Sequence, residues 1–141
     1  MLFPLQAPIR DYVWGSSGEI SRFRGLKVSG QREAEQWFGN HADAKTTVEV
    51  SGEQHDFHQW LGETGADFPL LVKLLAAAKP LSIQVHPGHE QAQVGCADEL
   101  ARGIADDNRT YRDSSAKPEL LIALSPHFRA LAGFVERDAV E

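Results

Sequence analysis

Apolar and polar residues follow one another in short runs that predict strands separated by small helices. Leu70–Leu75 is apolar on both faces, which favours a strand covered on both sides, with a buried helical segment as the alternative. The sum is a mainly β domain with small helices, a barrel or a sandwich. The other predicted strands are Glu33–Phe38, Thr46–Val50, Leu81–His86, Glu119–Leu124 and Phe128–Val135, and the predicted helices are Ser16–Arg24, His55–Leu61 and Glu90–Arg102.

The segment Leu81–His86 alternates strictly between apolar and polar side chains. An extended chain would place Ser82, Gln84 and His86 on one face. The common interpretation is a strand whose polar face lies in water. Here that face carries a hydroxyl, an amide and an imidazole instead of the usual lysine or glutamate, which favours a cavity. Gln84 and His86 could bind a metal there, although two donors do not make a site.

Two further features involve charged residues. Lys117 and Glu119 flank Pro118, and an extended segment would project both to the same side. Their ordinary interpretation is a surface ion pair or two solvated charges. Lys73 is a lone cation in an apolar run, so it either extends its ammonium to water or faces a polar cavity suited to a phosphate.

Length and charge narrow the classes of function. A chain of 141 residues suffices for one domain, and its net charge of −6 argues against nucleic acid or an anionic membrane as the main partner. The single cysteine cannot form an intramolecular disulfide, and the first residues do not follow a signal-peptide pattern. The cytoplasm is the expected compartment. The charged ending Val135–Glu141 indicates a fragment of a longer protein.

Taken in order, these segments resemble the type I mannose-6-phosphate isomerase family. The resemblance spans nearly the whole chain, and its most specific part is Pro80–Pro87. The matching segments are Tyr12–Ser16, Ala34–Gly39, Phe68–Lys73, Ala78–Pro87, Lys117–Leu120, Ala123–Pro126 and Ala132–Phe134.

The resemblance implies a cupin-type β-barrel, here incomplete, forming the N-terminal catalytic domain over residues 1–141. It also implies zinc as cofactor and the interconversion of mannose 6-phosphate and fructose 6-phosphate, with a small sugar phosphate as partner. It maps zinc ligands onto Gln84, His86 and Glu119. The family's fourth ligand, a histidine, and a catalytic arginine lie further downstream than this chain extends, and neither His89 nor His127 occupies the histidine's position.

Roles for the remaining residues follow from chemistry and the resemblance together. Lys117 is the candidate for proton transfer, because a lysine beside a dication has its neutral form favoured. Ser82 is expected to hydrogen-bond the substrate and Lys73 to attract its phosphate. The family usually has a histidine where this chain has Ala116. A role for that histidine in ring opening or proton relay therefore has no counterpart here.

Two alternatives to an enzyme domain are open at this point. The first is a non-catalytic cupin that binds zinc or a sugar phosphate, which the missing downstream residues and Ala116 favour. The second is a purely structural β-domain in which Gln84, His86 and Glu119 are ordinary polar residues. Trp14, Glu35 and Trp37 are expected to serve packing more than substrate contact.

Overall fold

A computed structural model describes residues 2–130 and Gly133. The chain divides into two compact units, and the boundary in the sequence falls between Ile83 and Gln84. The first unit contains two three-stranded antiparallel sheets. The second contains the longest helix of the described residues. The strands are β1 (Leu5–Gln6), β2 (Ile9–Arg10), β3 (Glu35–Gly39), β4 (Thr47–Val50), β5 (Glu53–Asp56) and β6 (Leu71–Leu75), and the helices are α1 (Glu19–Phe23), α2 (Phe57–Thr64) and α3 (His89–Ala101).

One sheet has the order β1-β4-β5, and its hairpin is built on a tight turn. Ser51 and Gly52 both have positive φ, 53° and 88°, as the favoured two-residue hairpin turns require. Val48 is fully buried and packs with Phe57 and Leu61 of the following helix. This cluster, with Leu5, Val50, Trp60 and Phe68 around it, forms the main apolar core of the first unit.

The other sheet has the order β2-β3-β6, with Trp37 directly opposite Lys73 and Arg10 opposite Glu35. Opposite residues of an antiparallel pair share a face, so these four side chains lie on the same side of the sheet. The other side includes Gln36, which is buried and donates a hydrogen bond from Nε2 to the Ala7 carbonyl at 2.6 Å.

The second unit is organised around α3. Glu99 of this helix is buried, and its carboxylate accepts hydrogen bonds from the backbone N–H groups of Thr110 and Tyr111 at 3.2 and 2.9 Å. The Tyr111 ring lies against Gly95, where a Cβ would be 2.6 Å from it. A short 3-10 turn at Asp106–Asn108 precedes this contact.

The mainly β organisation with small helices is confirmed, and the described residues contain two open sheets and no closed barrel. Three predicted helices and three predicted strands occur within a few residues of their expected bounds. Among the described residues, no helix has both the length and the hydrophobicity that crossing a bilayer needs.

Four strand predictions differ from the structure, in whole or in part. Leu71–Leu75 is a strand, but Val72 and Lys73 are exposed, so it is not covered on both sides. Leu81–His86 and Glu119–Leu124 belong to neither sheet. The reason is physical: alternation reports two environments, while a strand also needs a neighbour to hydrogen-bond. Of Phe128–Val135, residues 128–130 form no strand, and most of the rest lies outside the described residues.

Candidate metal and substrate site

The imidazole of His86 is fixed by the backbone of a segment that lies about thirty residues downstream. Its Nδ1 lies 3.0 Å from the carbonyl oxygen of Lys117. A carbonyl can only accept, so Nδ1 carries the proton and donates it. The neutral ring then keeps a lone pair on Nε2, the nitrogen that remains available to a metal.

Glu119 lies beside the same ring. Its Oε2 is 3.7 Å from His86 Nδ1, which is too far for a hydrogen bond. The two side chains are exposed to different degrees, 29% for His86 and 60% for Glu119. For both side chains to share a metal at Nε2, this exposed carboxylate would have to move away from the Nδ1 side of the ring.

The predicted ligands come together only in part. His86 and Glu119 are neighbours, whereas Gln84 is exposed in the segment that lies outside both sheets. In the part of the chain that the structure describes, no three His, Cys, Asp or Glu side chains form a group that could hold a metal ion. Imidazole, carboxylate and amide are nonetheless donor types that fit zinc.

Lys117 contributes its backbone to His86 and its side chain to a different partner. The Nζ is 2.8 Å from Oδ2 of Asp113, and the two side chains are 44% and 38% exposed. Asp113 also accepts a hydrogen bond from the backbone N–H of Ser115 at 2.9 Å, which orders the loop before the Lys-Pro-Glu segment. The ammonium in this pair has no lone pair, so it must give up a proton before it can accept one.

The two predicted substrate residues belong to the first unit. Ser82 is exposed near the end of that unit, outside its sheets. Lys73 is exposed on β6, and its Nζ lies 4.2 Å from the centre of the Trp37 ring. The lone cation in the apolar run therefore rests on an aromatic face.

Sequence reasoning missed the surroundings of Trp37. The ring also contacts the guanidinium of Arg10, at 3.9 Å, and its Nε1–H donates to Oε2 of Glu35 at 3.1 Å. Trp37 was expected to serve packing. The structure instead shows a half-buried ring that is surrounded by charged side chains. Arg10 lies in no motif segment. Its place beside Trp37 could have been predicted only from the pairing of β2 with β3.

Comparison with known proteins identifies the family. The family model for the catalytic domain of type I phosphomannose isomerase matches residues 2–137. The chain belongs to the type I phosphomannose isomerase family. The resemblance seen in the sequence is thereby confirmed, and the family is one of enzymes.

Relatives of the isomerase family are similar over nearly all of this chain. Mannose-6-phosphate isomerase of Escherichia coli is 38% identical over 144 residues, which cover 91% of this chain and 37% of the relative. The human mannose-6-phosphate isomerase is 31% identical, with 94% of this chain and 34% of the relative covered. The chain thus spans about a third of the length of these relatives.

Solved phosphomannose isomerase structures share the fold. A point mutant of the Salmonella typhimurium enzyme superposes with a TM-score of 0.71 at 30% identity, covering 79% of this chain and 32% of that one. A mannose 6-phosphate isomerase bound with zinc and yttrium gives a TM-score of 0.64, also at 30% identity and with the same coverage. The latter is a family member that holds a metal.

Proposed function

We propose that this chain is the zinc-binding part of an isomerase that interconverts mannose 6-phosphate and fructose 6-phosphate. The observation that carries the proposal is the His86 ring, held by the Lys117 carbonyl with the Glu119 carboxylate beside it. His86 belongs to the motif segment Pro80–Pro87, and Lys117 and Glu119 belong to the motif segment Lys117–Leu120. The activity of the curated relatives and the zinc-bound neighbour support the same assignment.

Gln84, His86 and Glu119 would hold the zinc. The hydrogen bond from Nδ1–H of His86 to a backbone carbonyl is of the kind that metal-ligating histidines commonly make. It fixes both the tautomer and the orientation of the ring. The fourth family ligand would come from outside this chain. Neutral imidazole and amide ligands with one carboxylate leave the ion a net positive charge, which suits catalysis better than a thiolate-rich structural site.

Aldose–ketose isomerisation moves a proton between two adjacent carbons, through an enediol with developing charge on oxygen. When bound, zinc would supply the electrophile that stabilises this charge. The chain itself must supply a proton carrier, and Lys117 is our candidate. Its Nζ is paired with Asp113, so the ammonium would have to pass one proton to that carboxylate or to solvent before it could act as a base.

Substrate binding would fall to Ser82 and Lys73. The Ser82 hydroxyl can donate to and accept from a sugar hydroxyl. Lys73 is an exposed residue of its strand, and its ammonium, which rests on an indole ring, would attract a phosphate dianion. We assign the protein to the cytoplasm, the compartment expected for a chain with one cysteine.

A non-catalytic cupin module is the second candidate, and one observation favours it. Lys117, the proton carrier that we assign, is engaged in an ion pair with Asp113. Ala116 cannot take over its role, because alanine has no group that accepts a proton. Such a module would bind zinc and the sugar phosphate without turnover. Metal content separates both candidates from a purely structural domain, and an assay for fructose 6-phosphate separates one from the other.

The first test measures zinc in the purified chain by mass spectrometry. We expect retention of zinc, and loss of most of it in Gln84→Ala and Glu119→Ala. Gln93→Ala and Glu90→Ala on α3 are matched controls, because they remove the same groups from exposed positions of the same unit. A well-folded chain that takes up no zinc on titration would refute the metal site.

The second test is a coupled assay that follows fructose 6-phosphate formed from mannose 6-phosphate. The longest protein that contains this chain should be active, whereas residues 1–141 alone should be nearly inactive, because the fourth ligand and the arginine would be missing. Zinc binding without turnover in the long protein would favour the non-catalytic module. Substantial turnover by the chain alone would show that the absent groups are dispensable.

A further inference from the structure

Two cations share the indole ring of Trp37. The guanidinium carbon of Arg10 is 3.9 Å from the ring centre, and Nζ of Lys73 is 4.2 Å from it. Both distances are within the range of a favourable cation–π contact. The β2-β3-β6 register brings the three residues to one face of the sheet. Trp37 is paired with Lys73, and Arg10 is paired with Glu35, which lies on the same face of β3 as Trp37.

The ring itself is held at its edges. Its Nε1–H donates to Oε2 of Glu35 at 3.1 Å. The His41 ring meets it edge to face, with centroids 5.6 Å apart and planes at 89°. With Arg10 on the ring as well, the indole has a fixed orientation.

Arg10 is anchored at the far end of its side chain. Its Nη1 donates to the hydroxyl of Tyr12 at 2.9 Å, and its Nη2 donates to the carbonyl of Asp43. Both terminal nitrogens are thus engaged, and Arg10 is only partly exposed. A planar guanidinium fixed in this way acts as a clamp on the ring, and it is poorly placed to bind an anion of its own.

Lys73 also rests on the ring, but it is an exposed residue whereas Arg10 is half-buried. Two like charges on one indole repel each other, while the ring attracts both. The contact with Arg10 helps to hold the indole in place, and the Lys73 ammonium rests on that indole. The position of the Lys73 charge therefore depends on Arg10, although no hydrogen bond joins the two residues.

We propose that Arg10 is a positioning residue that acts through Trp37 to set the place of the Lys73 ammonium. The inference rests on the proposed function, in which Lys73 attracts the phosphate of the sugar. It adds a residue that the family's motif segments do not include.

The first test needs no activity. In an NMR spectrum of the chain, the ε-methylene protons of Lys73 should be shifted upfield by the indole ring current. Arg10→Gln should bring their chemical shifts closer to those of a free lysine. Arg10→Lys should do the same, because lysine cannot reproduce a planar group that is held by two hydrogen bonds. An unchanged Lys73 shift in folded Arg10→Gln would overturn the inference.

The second test is steady-state kinetics on the longest protein containing the chain. Arg10→Gln should raise KM for mannose 6-phosphate about 3- to 10-fold, the size expected for one cation–π contact, and leave kcat nearly unchanged. In a Lys73→Met background the same substitution should have no further effect on KM. Additive effects of the two changes would overturn the inference.

Two outcomes separate the inference from the proposed function. If Lys73→Met leaves KM unchanged, the phosphate role of Lys73 and the inference fail together. If Lys73→Met raises KM and Arg10→Gln does not, only the inference fails. Should Arg10→Gln fold poorly, Tyr12→Phe removes one anchor of the guanidinium and keeps the ring. It should raise KM in the same direction by a smaller factor, and a KM equal to that of the parent would count against the clamp.

Discussion

Two buried carboxylates accept hydrogen bonds from backbone N–H groups, one at the start of a helix and one in a loop. Glu33 accepts hydrogen bonds from the backbone N–H of Ser21 at 2.7 Å and from the Ser21 hydroxyl. Ser21 is in the first turn of α1, whose N-cap, Gly18, has no side chain to offer. A residue twelve positions later therefore takes over the capping of this helix. Glu99 plays the same part for the loop at Thr110 and Tyr111.

Replacing Glu33 tests this role at the scale of one residue. Glu33→Ala leaves two buried donors of Ser21 without their acceptor, so we expect a loss of about 2 to 4 kcal/mol in the free energy of unfolding, measured in urea. Glu33→Gln should cost about 1 kcal/mol, because the Ser21 hydroxyl can turn and accept from the amide. Glu53→Ala, at an exposed position of β5, should change stability by less than about 0.5 kcal/mol. Equal losses for Glu33→Ala and Glu53→Ala would contradict the capping role.

Individual site residues were predictable to different extents. His86 and Glu119 could be named as candidate ligands because both lie in motif segments. Their side chains are neighbours in the structure, and their role as ligands stays a prediction. That the Lys117 carbonyl would hold the ring could not be foreseen, since a backbone oxygen leaves no trace in side-chain identity. The Asp113 partner of Lys117 likewise depends on the shape of a loop, which sequence periodicity does not encode.

At the scale of elements, α3 packs through a missing side chain. A Cβ on Gly95 would lie 2.6 Å from the Tyr111 ring, so Gly95→Ala must displace the ring or the helix. Alanine gains about 1 kcal/mol of helix propensity over glycine, which the clash should exceed. We therefore expect Gly95→Ala to lower the melting temperature. Gly62 in α2 is the matched control: it has open space where its Cβ would be, and Gly62→Ala should raise the melting temperature.

A result in which both alanines stabilise the protein equally would show that Tyr111 does not depend on close contact with α3. A Tyr111→Ala change offers a further check on the same packing. In that background Gly95→Ala should become neutral or stabilising, because the ring that it would meet is gone.

The helices were easier to predict than the strands. Gly25 and Gly103 follow α1 and α3 with positive φ, as glycines that close helices do, and both carry this signal in the sequence. β1 and β2 are two residues long and show no periodicity. β5 is entirely polar, so no hydrophobic alternation marks it as a strand. Strand formation at Leu81–His86 depends on a partner, which alternation cannot supply.

At the scale of the whole molecule, the described residues leave many apolar side chains exposed. Ile83 is 93% exposed and Leu120 is 87% exposed, and both belong to segments outside the sheets. The chain spans about a third of the length of its curated relatives. The fold class could be predicted because motif segments run along the whole chain. The exposure of the side chains in these segments could not be predicted. It depends on which other parts of the protein pack against them, and no local sequence pattern specifies this.

Binding of zinc should therefore change how the segment Leu81–His86 behaves. Among the described residues it has no strand partner, and elastase should cut the zinc-free protein next to Ile83 or Val85. If Gln84 and His86 share an ion with Glu119, zinc ties the segment to a second one and should slow this cleavage severalfold. Mass spectrometry of the fragments measures the rate at each bond. Glu119→Ala should lose most of the protection, whereas Glu90→Ala should keep it. Cleavage at the same rate with and without bound zinc would place the ion elsewhere in the chain.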